Sequence, residues 1–404
     1  MALSLSMFGR VMPESPWDDP NVIRQAIFSI ERLENHAQSL AGAQVVRPHR
    51  QKGRPLLDRL ADNETSLLLS YQSICGAVAV GAAITPAAEW LIDNFHQVER
   101  QVREIRTDLP PGYYRQLPKL AEGPFARYPR VFEIAWAFVA HTDSRFDVDS
   151  WCGFLRAYQE VQYLTIGELW ASAITLRLVL IENLRRIADR VVYSRNERSK
   201  ADELADRLLG VDGRSAKPSA TIQMELERTE LPDALLVQLI HRLRDQGAAA
   251  ESLLTHIDKL LTASGRTAED SVRDEQERQV AANATVRNII TSMRHMSDVD
   301  WTEIFERVNL VDGVLADGCG FGEMDFPTRN MYRTAIEELA RGSNLSELEV
   351  ARRAVQIGVQ ASSDALENDG RRADPGYHLC GGGRVEFEAA IGFRARPQLI
   401  LGRF

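Results

Sequence analysis

Cysteine is scarce in this 404-residue sequence: Cys75, Cys152, Cys319 and Cys380 lie far apart, with no C-x-x-C and no Cys/His spacing. Zinc sites built from paired ligands are thereby excluded, a disulfide framework is disfavoured, and a reducing cytoplasm fits best. Positive charge is also short. The formal net charge is -9 with no long Lys/Arg run, so the chain lacks an electrostatic footprint for nucleic acid or for an anionic membrane. Long hydrophobic runs are missing too: ICGAVAVGAAI (74–84) and LWASAITLRLVLI (169–181) stop short of the roughly 20 residues that cross a bilayer, and the second holds Arg177. The opening MALSLSMFGRVMPESPW has neither a basic start nor a small-residue cleavage site, so it is not read as a signal peptide. Strand-like alternation, a repeat of fixed period, and the P-loop, G-x-S-x-G, H-E-x-x-H and dinucleotide fingerprints are all absent.

What is present is helical periodicity almost throughout. It predicts an all-α fold, a multi-helix array or bundle of two packed helical modules, and the chain is long enough for two or three. The clearest stretch is AEWLIDNFHQVERQVREIRTDLPPGYYRQLPKL (88–120). Leu91, Phe95, Val98, Val102, Ile105 and Leu109 recur at steps of three and four and share one face. Thr85-Pro86 reads as an N-cap with a first-turn proline, and Pro110-Pro111 as a stop. Asp93, His96, Arg100 and Arg103 fall on the solvent side, while Trp90, Asn94, Gln97 and Gln101 flank the stripe and are expected to bond a neighbouring helix. A second strong helix, from Thr165 to about Tyr193, opens on a Thr165/Glu168 capping box and is apolar nearly all round through Ile181, so Arg177 and Glu182 need partners. Further helices are expected near 20–41, 56–83, 129–141, 148–161, 232–245, 249–263, 267–297, 328–341 and 346–365. The Gly/Ser/Pro-rich 210–229 reads as a linker between modules at 1–209 and 230–365, and 366–404 as a loop-rich segment with one short helix.

Three groups bear on chemistry. Asp147-x-Asp149 has the spacing that many glycosyltransferases use to hold a divalent ion, but here it opens a helix, where both carboxylates serve orphan amides and the dipole. His141, Asp143 and Arg145 form an acid/base set without a nucleophile motif or metal spacing beside it. Tyr113, Tyr114, Arg115 and Lys119 lie on a proline-stiffened loop, where aromatic faces and donors suit a sugar or an acidic group, or pack a rigid connection. The residues alone predict no catalytic residue, no metal ligand and no cofactor in this segment.

Several blocks also resemble the N-terminal region of bacterial cyclic β-1,2-glucan synthases: IFSIERLENHAQSLAGAQ (27–44), ITPAAEWLIDNFHQVERQVREIRTDLPPGYYRQLPKL (84–120), YPRVFEIAWAFVAHTDSRFD (128–147), LTIGELWASAITLRLVLIENLRR (164–186), NATVRNIITSMRHMSDVDW (283–301), FPTRNMYRTAIEELARGSNLSELEVARRAV (326–355) and RRADPGYHL (371–379). The resemblance implies a cytoplasmic helical domain at the inner face of the bacterial inner membrane. Its partners would be the membrane and glycosyltransferase domains of a synthase that builds periplasmic glucan from UDP-glucose with a divalent metal. The chain ends at RPQLILGRF, about where the resemblance places the membrane part, so a fragment is expected, and the family's transferase motifs are not carried onto any residue here. Scaffolding or regulation of the synthase is one reading. A glucan-binding or glucan-modifying unit, with Tyr113, Tyr114, His141, Asp143 and Glu168 lining a pocket, is another, and an independent helical adaptor a third.

Overall fold

The stripe that runs from Leu91 to Leu109 is buried along its whole length, and Asp93, His96, Arg100 and Arg103 are exposed on the far side. The computed structural model describes residues 16, 17, 19–47, 53, 55–211, 219–227, 231–244, 246–318, 320–363 and 370–394. Most of the opening segment, residues 212–218 and 228–230 of the expected linker, and RPQLILGRF lie outside them. Among the described residues the fold is all-α apart from one antiparallel pair of two-residue strands, Val46–Arg47 and Lys119–Leu120, in register Val46↔Leu120. No helix of the described residues is long and apolar enough to cross a membrane.

Two compact units form, and neither is a continuous stretch. The first takes Met1–Ser29, Val45–Asp147 and Ile174–Val299, and the second takes Ile30–Gln44, Val148–Ala173 and Asp300–Phe404. The 210–229 segment therefore falls inside the first unit. Part of it is the helix Ser219–Glu227, whose Ile222 and Leu226 share a core with Leu204 and Leu208, Leu235 and Leu239, and Leu253 and Ile257. In the second unit Ile30–Ala43 packs on Val148–Gln159. Gln162 Nε2 donates to the Ala41 and Gln44 carbonyls at 2.7 and 2.9 Å, and fixes the end of the first of these helices.

Several boundaries move for identifiable reasons. The helix expected through 88–109 is two, Pro86–Asp93 and Phe95–Asp108, because the Asn94 amide donates to the Trp90 carbonyl at 2.8 Å and competes with the backbone ladder. Arg294 grips the oxygen of that amide, and Gln101 reaches Ser297 at 2.9 Å, as expected of residues flanking the stripe. The double proline starts a short helix, Pro111–Gln116, instead of a loop, since proline suits the first helical position. Residues 20–29 are not helical: Gln25 and Phe28 give their amides to Ala140 and His141 carbonyls at 2.8 and 3.0 Å. The capped helix runs on to Leu209, and Trp301–Val308 and Leu310–Gly318 are further helices. After 370 there are two short α-helices, Pro375–Leu379 and Arg384–Ala390.

Candidate functional site

Of the tyrosine group, Tyr114 and Lys119 are brought together. Lys119 is buried, its Nζ 5.2 Å from the Tyr114 ring centre, and it donates to the carbonyls of Tyr114, Arg115 and Leu117 at 3.3, 3.2 and 2.9 Å. It thus closes the end of Pro111–Gln116, where helix carbonyls lack partners. Burial lowers the pKa of its ammonium and raises that of the Tyr114 phenol, the latter helped by Tyr128. Tyr113 is half-buried and Arg115 exposed.

His141 and Asp143 are buried in separate hydrogen-bond systems of the first unit. His141 stacks on Phe28 with centroids 3.9 Å apart, and its Nδ1 lies 2.8 Å from the Ala26 carbonyl, so that nitrogen carries the proton. Asp143 and Ser144 adopt left-handed backbone, φ 51° and 62°. Such residues cost about 1–3 kcal/mol each and persist only where neighbours over-determine them. Here the Asp143 carboxylate accepts from Thr285 Oγ1 at 2.7 Å, Asn288 Nδ2 at 3.1 Å and Arg24 Nε at 3.2 Å. Ser144 accepts from Asn183 Nδ2 on its hydroxyl and from Ser292 Oγ on its carbonyl, at 2.9 and 2.8 Å. The turn pins the Ala268–Asp298 helix to Ile166–Leu209. Arg145, one residue on, is exposed.

Glu168 belongs to the second unit and serves the capping box, its Oε2 accepting from the Thr165 amide and hydroxyl at 3.0 Å each. Beside it Glu347, also buried, accepts from Tyr163 Oη at 2.6 Å and from the Ile166 amide at 2.7 Å. Burial, opposed by those two bonds and reinforced by Glu337 and Glu168, lifts the Glu347 pKa to about 7. Of the D-x-D pair, Asp149 is exposed in the first turn of Val148–Gln159 and bonds Arg307 Nη2 at 2.6 Å. Among the described residues no three His, Cys, Asp or Glu groups stand together as metal ligands.

Sequence reasoning missed a cleft of about 390 Å³ in the first unit, floored by Ile166–Leu209 and Ala268–Asp298 and edged by the start of the helix Asp233–Leu243. Asp233 takes Arg266 Nη2 at 2.6 Å and also bonds Arg278; against burial, these two arginines hold its carboxyl below the usual range. Glu275 accepts from Gln279 at 2.8 Å and Arg198 at 3.4 Å. Tyr193 is 52% exposed, and the enclosed Oδ1 of Asn283 accepts no hydrogen bond among the described residues. The walls draw on four helices and on Asn21, Thr85 and Pro232 outside them, so no local pattern could announce the cleft.

No protein-family model matches the chain. Over 392 residues it is 38% identical to the cyclic beta-(1,2)-glucan synthase NdvB of Rhizobium meliloti (strain 1021). The chain is homologous to a segment of that synthase. The match takes in 94% of this chain and spans 13% of the length of that relative.

Proposed function

We propose that this chain is the cytoplasmic N-terminal helical domain of a cyclic β-1,2-glucan synthase, and that it scaffolds or regulates the glycosyltransferase that polymerises glucose from UDP-glucose. The homology to an NdvB segment along 94% of the chain carries the reading. The engagement of Asp143, His141, Lys119 and Glu168 in helix junctions and caps supports a structural part for them rather than a chemical one. UDP-glucose and the divalent metal then act in other parts of the synthase, and the exposed side of Pro111–Gln116, with Arg115, is offered to the membrane and transferase domains.

The test is glucose incorporation from UDP-glucose by membrane vesicles that carry the whole synthase, with and without this segment, at equal amounts of inserted protein. Coupling between domains is typically worth 5–150-fold, so removal is expected to lower glucan yield roughly tenfold or shift its size, and the separately added chain to restore it. Unchanged yield and size would overturn the proposal.

A further inference from the structure

The cleft between Ile166–Leu209 and Ala268–Asp298 is the feature the proposed function leaves unused. Its volume of about 390 Å³ lies in the range of small-ligand sites, generally about 300–1,000 Å³. Its chemistry is mixed in a particular way. Asp233 and Glu275 are both already satisfied by arginines, yet both remain part of the lining. Arg198 and Arg278, which engage them, line the same walls, so the charge there is paired and favours neither an anion nor a cation.

Other groups on the same walls are uncommitted. Arg190 is exposed and pairs with no carboxylate among the described residues, its one contact being Asn21 Oδ1 at 3.3 Å. Asn283 lines the cleft, and its enclosed Oδ1 has no donor among the described residues. A buried acceptor without a donor is unfavourable, and a ligand hydroxyl that reached it would relieve this. Tyr193 sets a half-exposed aromatic ring at the same opening. Donors, acceptors and one flat apolar face together match a molecule whose hydroxyls both donate and accept and whose ring carries a C–H face.

We propose that this cleft binds a short, uncharged oligosaccharide. Tyr193 stacks on a sugar ring, and Arg190 and Asn283 bond its hydroxyls. Asp233 and Glu275 accept from further hydroxyls. The choice of β-1,2-linked glucose as the first probe rests on the function proposed above, whereas the preference for a neutral saccharide rests on the cleft alone.

The test is calorimetric titration of the whole 404-residue chain with sophorose and longer linear β-1,2-linked glucose oligomers. Cellobiose, UDP-glucose and inorganic phosphate serve as comparisons. Saturable binding with Kd on the order of 0.1–1 mM is expected. Tyr193→Ala, at an exposed position, and Asn283→Ala should each weaken it about tenfold with the helical circular dichroism unchanged, and Tyr113→Ala should leave it intact. No saturation with any saccharide, affinity in both cleft variants unchanged from that of the unaltered chain, or phosphate and UDP-glucose binding in place of saccharide would each overturn the proposal. Binding of cellobiose in preference to the β-1,2-linked oligomers would uphold a saccharide cleft and count against the synthase reading. The vesicle measurement tests that reading separately.

Discussion

Each compact unit encloses a glutamate, and the two are accommodated by opposite means. Glu182, in the first unit, is fully buried among three arginines: Arg59 Nη2 at 3.0 Å, Arg185 Nη2 at 2.8 Å and Arg186 Nε at 2.7 Å. Burial alone would raise its pKa, but these guanidinium groups outweigh it and hold the carboxyl at about 2. Glu347, in the second unit, accepts among the described residues only from a phenol and a backbone amide, with Glu337 and Glu168 close enough to push its pKa further up. The same residue type is thus a committed anion in one unit and a group poised near neutrality in the other. The difference lies in the neighbours, because burial disfavours the charged form in both.

The comparison breaks most sharply at Glu182. Glu182→Gln leaves Arg59, Arg185 and Arg186 facing a neutral amide, and loss of one partner of a buried ion pair costs about 3–5 kcal/mol. Arg185 keeps Asp189 at 2.6 Å and Arg186 keeps the Pro16 and Asn21 carbonyls, both at 2.6 Å, so about 3 kcal/mol is expected, read as a fall in the urea midpoint of the first unit. The folded pKa of about 2 is below the unfolded value. The stabilisation is therefore fully present above the unfolded carboxylate pKa and is lost as pH falls toward 2, so the gap between wild type and variant should close in acid.

Glu347→Gln should act in the other direction. A folded pKa of about 7 lies above the unfolded value, so the charged form costs stability. That cost is absent below the unfolded pKa, grows as pH rises, and is complete above about 7. Glutamine retains an acceptor for Tyr163 and Ile166. The variant is expected to be more stable than wild type at pH 8 by at most about 3 kcal/mol and equal to it near pH 4.5. Denaturation curves at both pH values measure this, and a variant destabilised at pH 8 would mean that the carboxylate has a cation partner there.

Much of the helical frame was legible because its causes are local. The Leu91-to-Leu109 stripe, the Thr85 cap and the Thr165/Glu168 box are interactions between residues three or four apart, and each is found in the structure. The need of Arg177 and Glu182 for partners was legible too, since a buried charge must be met. Arg177 reaches Glu104 at 3.5 Å and the Met296 carbonyl at 3.1 Å, but nothing near it in sequence names either. Long-range choices stayed hidden. The break at Asn94 is set with Arg294, the saccharide cleft gathers Tyr193, Asp233 and Asn283, and Ile30–Gln44 joins the unit of Asp300–Phe404 although 210–229 looked like the divide. Among the candidate site residues, local reasoning could propose His141, Asp143 and Arg145 as a set. It could not know that Phe28 and Ala26 would occupy the histidine and Thr285 and Asn288 the aspartate.

A smaller effect sharpens the same contrast between neighbours, because one motif occurs in both units. Thr267 and Asp270 form a capping box in the first unit, with Thr267 exposed; Thr165 and Glu168 form one in the second, with Glu168 fully buried. In each, the threonine hydroxyl accepts from the backbone amide three residues on, at 3.0 Å for Thr267 and 3.2 Å for Thr165. Loss of the hydroxyl by Thr→Ala costs about 0.5–2 kcal/mol at such caps. In Thr267→Ala, water replaces the lost bond, so the lower half of that range is expected. In Thr165→Ala, the enclosed Glu168 also loses the hydroxyl that donates to it at 3.0 Å, and water is kept from taking its place. About 2 kcal/mol is therefore expected there. Equal losses in the two variants, measured by denaturation under one condition, would show that sequence spacing alone sets the worth of this motif and that its burial does not.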